Sequence, residues 1–260
     1  MSFSPNIASS VVRILQERDE GALVSDVRIG LGYTGVKLEG DRAGVAYTFR
    51  DEARGGCSVF QKLRPISGRH SSELVSLLTS GDPIEAAVGL ACANALVNAE
   101  GQRFQSGDVL KHLDLRPDDH VGMVGYFGPL IEILRERVRT LTVFERGRQE
   151  SGLIRPAEEA EDTLPHCQVA MITATSIINH TIDGLLEAAA TCREVVVLGP
   201  STPLMPEVFL SRKVTLLSGV VVQQSREILQ IISEGGGMRY FGPHVRKVCL
   251  RINRGMGEIL

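Results

Sequence analysis

In the second half of the sequence, apolar runs end in four polar stretches that could bind or react with a ligand: Gly125-Tyr126-Phe127-Gly128, Glu145-Arg146-Gly147, Thr173-Ala174-Thr175-Ser176 and Gly199-Pro200-Ser201-Thr202-Pro203. The first lies in residues 121–130 (VGMVGYFGPL), which read as a buried strand, a tight turn and a helix opened by Pro129, where the missing N–H costs nothing. Backbone N–H groups at such a helix start can take an anionic or carbonyl-bearing ligand, and Tyr126 and Phe127 can stack on it or cover it. Gly122, Gly125 and Gly128 are spaced GxxGxxG, not the GxGxxG that seats a dinucleotide pyrophosphate. They also suit a turn packed closely against its helix. Glu145 lies 20 positions after Gly125, the offset at which an acidic residue meets a ribose hydroxyl in nucleotide-binding folds. The same carboxylate is the candidate general acid or base of an enzyme, with donors at Gly128, Ser176 or Ser201 for a developing oxyanion.

Further candidates carry a structural reading beside the functional one. Thr175, Ser176 and Asn179 offer hydrogen bonds to a ligand, while Thr175 or Ser176 could equally cap the helix that follows. His180 is a candidate metal ligand without a second histidine nearby, and a packing role suits it as well. In residues 199–207 (GPSTPLMPE) three prolines stiffen the chain around Ser201 and Thr202, so little entropy remains to be lost on binding. Gly235 and Gly236, within Glu234-Gly235-Gly236-Gly237, fit a helix cap or a close approach of ligand to backbone. Cys57, between Gly56 and Ser58, is the one cysteine expected in a loop, as a soft metal ligand or nucleophile.

These residues need a scaffold, and the hydrophobic patterning supplies one. Residues 7–17 have helical periodicity; residues 23–49 hold short β-prone runs separated by glycines; residues 71–78 and 83–98 read as helices, the second capped by Asp82. That is a small α+β unit, expected over 1–108. Residues 50–69 are polar and irregular, a pattern common in functional loops. From residue 121 onward, strands at 121–125, 141–145, 169–173, 194–199 and 214–222 alternate with helices at 130–138, 177–190 and 225–233. Continuous apolar strands spaced by helices predict an α/β unit, expected over 117–260, with a parallel sheet covered on both faces and a ligand crevice at its carboxyl ends. The four polar stretches all fall at those ends.

Composition narrows the function classes. The chain has 260 residues, a formal net charge of −3 and no tryptophan, which gives no electrostatic reason to expect nucleic acid. The basic run 244–254 reads as a solvated strand edge or a cationic helix end. Five scattered cysteines form no CxxC pair and suit reduced thiols. No signal-like leader and no apolar stretch long enough to span a bilayer are visible, so a cytoplasmic protein without a membrane partner is expected.

The segments GYFGPL (125–130), TVFER (142–146), TATSIINHTIDGLLE (173–187), VVLGPSTPLMPEVF (196–209) and SEGGGMRYFG (233–242) resemble the family labelled putative heavy-metal chelation, domain of unknown function 364. The AYTF and GLACANAL segments of the first half resemble the enolase N-terminal-like domain that precedes it. The resemblance implies a Rossmann-like C-terminal domain, an enolase N-terminal-like first domain and a site in the cleft between them. Carried onto matching positions, the cleft residues are Gly125, Tyr126, Phe127, Gly128, Glu145, Thr175, Ser176, Asn179, Gly199, Pro200, Ser201 and Thr202. The leading expectation is a binder of a small anionic or metal-bearing ligand, with a transition-metal ion or metal chelate as the implied cofactor. The alternatives are an enzyme acting on a small metabolite, a nucleotide binder, and a homo-oligomer whose glycines serve packing alone.

Overall fold

The computed structural model describes residues 6–18, 21–53, 63–99, 104–147 and 151–252. Helix α1 (Ile7–Glu17) buries Ile7, Val11 and Leu15 on one face. Its start lies at Asn6, whose side chain accepts from the Ser9 N–H at 2.8 Å. Strands β1 (Val24–Ile29), β2 (Tyr33–Leu38) and β3 (Ala43–Tyr47) then form an antiparallel sheet in that order. Helix α2 (Ser71–Val75) leads through a 3-10 turn to α3 (Pro83–Val97), capped by Asp82, whose carboxylate accepts from the N–H of Ile84 at 2.8 Å. Small residues let α3 lie close to the sheet: a Cβ on Gly44 would come within 2.2 Å of the Ala95 nitrogen.

The larger sheet joins β4 (Gln105–Ser106), β5 (His120–Val124), β6 (Thr140–Glu145), β7 (Ile154–Pro156), β8 (Val169–Thr173), β9 (Glu194–Leu198), β10 (Leu216–Val222) and β11 (Val245–Arg251). Their order is β4-β11-β10-β9-β8-β5-β6-β7. Strands β5 to β10 run parallel; β11 and β4 extend the β10 edge antiparallel. Alternate residues of the central strands enter different clusters, Ala170 and Ile172 on one face and Val169 and Met171 on the other, so both faces are covered. This is the Rossmann-like doubly wound sheet. The chain steps away from β5 toward β6 on one side and toward β8 on the other, which opens a crevice between the carboxyl ends of β5 and β8.

Several expectations changed in detail. The stretch left between the two expected units, 109–116, is more than a connection: it holds a 3-10 turn at Val109–His112 with Val109 and Leu110 buried against the large sheet. The helix expected at 177–190 is α-helical only over Ile182–Ala188, because His180 takes a left-handed conformation (φ 59°) and ends the preceding 3-10 turn. The basic run at 244–254 is strand β11 as far as Arg251, whose guanidinium meets Glu194 at 2.7 Å.

The two sheets share their interior. One apolar cluster holds Ile7 and Leu90 from the first domain together with Ile172 and Leu217 from the second. At the seam, the Asn98 amide donates to the carbonyls of Thr202 (3.0 Å) and Val220 (3.2 Å) and accepts from the Leu204 N–H (3.0 Å). All three contacts are buried, so each is a polar group that would otherwise stand unpaired.

Candidate functional site

A cavity of about 630 Å³ opens where the switch in strand order predicts it, at the carboxyl ends of β5, β6 and β8, and the residues after β3 close it from the first domain. The second domain lines it with Gly125, Tyr126, Phe127, Glu145, Arg146, Thr175, Ser176 and Asn179, and with Glu158 and Glu161 from the segment after β7. The first domain contributes Tyr47, Phe49, Arg50, Asp51 and Glu52.

The turn after β5 is set by sterics and by Glu145. Gly125 has φ +96°, and a Cβ there would lie 2.9 Å from the Thr173 Cβ, so glycine lets this turn pass against the end of β8. Glu145, ending β6, accepts from the N–H of Tyr126 at 2.7 Å through one oxygen and from the N–H of Arg146 at 2.9 Å through the other. Its carboxylate thereby braces the aromatic turn. Helix α4 (Gly128–Arg137) follows with Pro129 near its start as expected, but Leu130 and Ile131 both donate to the Phe127 carbonyl, which leaves few backbone donors for an anion.

Hydroxyls fix the β8 end. Thr173 and Thr175 share a hydrogen bond at 3.0 Å, and Ser176 donates to the Thr173 carbonyl at 2.6 Å. The side-chain cap of this turn is thus Thr173. Asn179 accepts from the Thr181 hydroxyl at 2.8 Å. On the opposite wall the Tyr47 and Phe49 rings pack edge to face, centroids 5.0 Å apart and planes at 86°. The Arg146 guanidinium meets Glu52 across the cleft at 3.3 Å.

The remaining predicted residues lie elsewhere. Gly128 opens α4 beside Tyr126, and Gly199 (φ +114°) lies near the Phe127 ring; neither lines the cavity. Pro200, Ser201 and Thr202 do not line it either. Ser201 is 1% exposed and accepts from the Tyr47 N–H at 2.9 Å, while Thr202 bonds to the Gly199 carbonyl at 2.7 Å. That stiff loop fastens the domains together. Gly235 (φ +76°) and Gly236 donate to the carbonyls of Ile232 and Ile231, forming the C-terminal cap of the helix Ser225–Ser233 near Leu31. His180 is exposed, and its Nε2 donates to the Ser80 carbonyl at 2.9 Å, so that nitrogen carries a proton and not a metal. Cys57 lies outside the described residues.

The donor set argues against a bare soft metal ion held by the described side chains. No group of three or more His, Cys, Asp or Glu among them is arranged to hold a metal. Cys92, Cys167, Cys192 and Cys249 are free and buried, and burial pushes the thiols of Cys92 and Cys192 up to about 12, leaving them protonated and poor ligands at neutral pH. The cleft offers hard oxygen donors instead. Its described lining sets Asp51, Glu52, Glu145, Glu158 and Glu161 against Arg50 and Arg146. No helix among the described residues is long and apolar enough to cross a membrane.

Of the cleft residues, Tyr47, Phe49, Glu158, Glu161 and Thr181 were not legible as site residues in the sequence, although Arg50, Asp51 and Glu52 open the irregular stretch singled out there. Nothing in the spacing signals that the end of β3 meets the end of β5.

Comparison with known proteins follows the same division of the chain. A family model, DUF364, described as "Putative heavy-metal chelation", matches residues 108–251, and a second, DUF4213, with the same description, matches residues 12–97. An uncharacterized protein of Methanocaldococcus jannaschii is 26% identical over 253 residues, covering 93% of this chain and 96% of its own. The crystal structure of a DUF364-family protein of unknown function from Desulfitobacterium hafniense superposes with a TM-score of 0.80 at 23% identity, over 94% of this chain and 96% of the other. One from Pyrococcus horikoshii gives 0.81 at 23% identity, over 95% and 100%. These structural likenesses speak for the fold.

Proposed function

The chain belongs to the DUF364 family, and from that premise we propose that its interdomain cleft binds a small ligand of net positive charge, a metal complex among them. The observation that carries this reading is the surplus of carboxylates at the carboxyl ends of β5, β6 and β8: Asp51, Glu52, Glu145, Glu158 and Glu161 face only Arg50 and Arg146 in the described lining. Opposite charge favours a cationic guest and works against a free anion. The absence of a metal-holding group among the described residues supports a metal that arrives already chelated, its charge met by carboxylates that need not enter its coordination sphere. Free, buried thiols support a reducing, cytoplasmic setting.

Isothermal titration with Zn²⁺, Ni²⁺ and Co²⁺, their cationic amine complexes and ATP tests this reading. The complexes are expected to bind with one site per chain and to weaken in the Glu158→Gln/Glu161→Gln double variant. Tight binding of ATP alone, or cation binding indifferent to that double substitution, would overturn it.

A second reading, a nucleotide site, is favoured by the strand order and by Glu145 at the end of β6. Against it, both Glu145 oxygens already accept backbone N–H groups, and the surrounding carboxylates repel phosphate. The same two bonds favour Glu145 as a brace over the acid or base of a reaction. Retention on an immobilised nucleotide, reversed by free nucleotide, would restore the nucleotide reading.

A further inference from the structure

The described lining of the cleft combines aromatic and acidic side chains. Tyr47 and Phe49 stand at 86° with centroids 5.0 Å apart, forming a right-angled aromatic corner on the first-domain wall. Tyr126, 40% exposed, and Phe127 bring aromatic area from the second domain, so rings line the cavity from both sides. Beside them, Glu158 and Glu161 line the cavity, and among the described residues neither has an ion-pair partner, whereas Glu52 is paired with Arg146 and Asp51 with Arg50.

We infer that the cation taken by this cleft is organic: a quaternary ammonium or a sulfonium group seated among the aromatic side chains of both domains, its charge balanced by Glu158 and Glu161. The inference rests on the reading of the cleft as a cation site and narrows it. A group of this kind cannot donate strong hydrogen bonds, so its recognition relies on ring quadrupoles and nearby negative charge, and both are present. A bare metal ion would gain little from the rings and would need converging ligands, which the described residues lack. A cavity of about 630 Å³ accommodates a metabolite-sized molecule, not only an ion.

Ligand-observed NMR and titration with the full chain provide the test, using choline, S-methylmethionine and the neutral choline isostere 3,3-dimethylbutan-1-ol, with Zn²⁺ and Ni²⁺ in parallel. The charged probes are expected to bind roughly tenfold more tightly than the neutral isostere, a preference reduced severalfold both in Phe49→Leu, which keeps the apolar volume and removes the ring, and in Glu158→Gln/Glu161→Gln. Equal affinity for choline and its isostere would overturn the inference. Binding of the metals without the organic cations would overturn it too, while leaving the cleft as a cation site. Binding of none of these probes would remove the inference, and failure of the cationic metal–amine complexes to bind as well would remove the reading of the cleft as a cation site. Thermal unfolding of each variant separates loss of binding from loss of fold.

Discussion

The two ends of the parallel sheet carry comparable charge and treat it in opposite ways. At the amino ends, Asp119 is 1% exposed and receives the Arg193 guanidinium at 2.8 Å, while Glu194 is met by Arg251 at 2.7 Å. At the carboxyl ends, Glu158 and Glu161 line an open cavity and have no ion-pair partner among the described residues. Charge that is matched and enclosed holds the strands together. Exposed charge left unmatched beside a cavity contributes little to folding, and under the proposed function it balances the charge of a cationic guest.

The sharpest way to break the comparison is to remove a partner at the amino end. Arg193→Met strands the buried Asp119 carboxylate, and a loss of about 3–5 kcal/mol in chemical denaturation is expected, with cleft binding intact in the protein that remains folded. The acid limb of stability belongs to the same pair. Burial alone would raise the Asp119 carboxyl, but hydrogen bonds from Arg193 and from the Arg116 N–H, with the adjoining positive charge, hold it below the usual carboxylate range. Its contribution is therefore complete above about pH 4, the ordinary aspartate value, and is lost as pH falls from there through the lower native value. Denaturation midpoints measured through the acid range should show that loss, and Asp119→Asn should flatten it.

At the carboxyl end the backbone matters more to stability than the charges do. Gly125→Ala forces a side chain onto φ +96° and against Thr173, an expected cost of about 1–3 kcal/mol, accompanied by weakened binding because the Tyr126-Phe127 turn shifts. The smallest effect sharpens the contrast most: Glu158→Gln/Glu161→Gln should move thermal stability by no more than about 0.5 kcal/mol while changing ligand affinity. A large stability loss from that double variant would abolish the distinction between the two ends.

How far the sequence revealed this arrangement depends on what each signal encodes. Apolar runs such as VAMIT (169–173) report burial on both faces, so strands β5, β6, β8, β9 and β10 and the cleft side of the sheet were legible. Strand β7, three residues ending in Pro156, is too short to carry a pattern. Gly125, Tyr126, Phe127, Glu145, Thr175, Ser176 and Asn179 line the cavity, at or just after strand ends that can be counted along the chain. Ser201 and Thr202 satisfy the same rule yet turn toward the other domain, where Tyr47 and Asn98 bond them. The direction in which a polar loop points is decided by its tertiary partner, and local sequence does not encode it. The left-handed His180 likewise follows from its bond to Ser80, 100 residues away in the chain.

The apolar cluster that runs from Ile7 and Leu90 to Ile172 and Leu217 has a consequence for heredity. A gene carrying either half alone would encode a protein with a raw apolar face, prone to aggregate unless its complement were made in the same cell. A substitution on one side of that seam is packed against residues on the other, so a gene for the whole chain has to keep the two faces complementary.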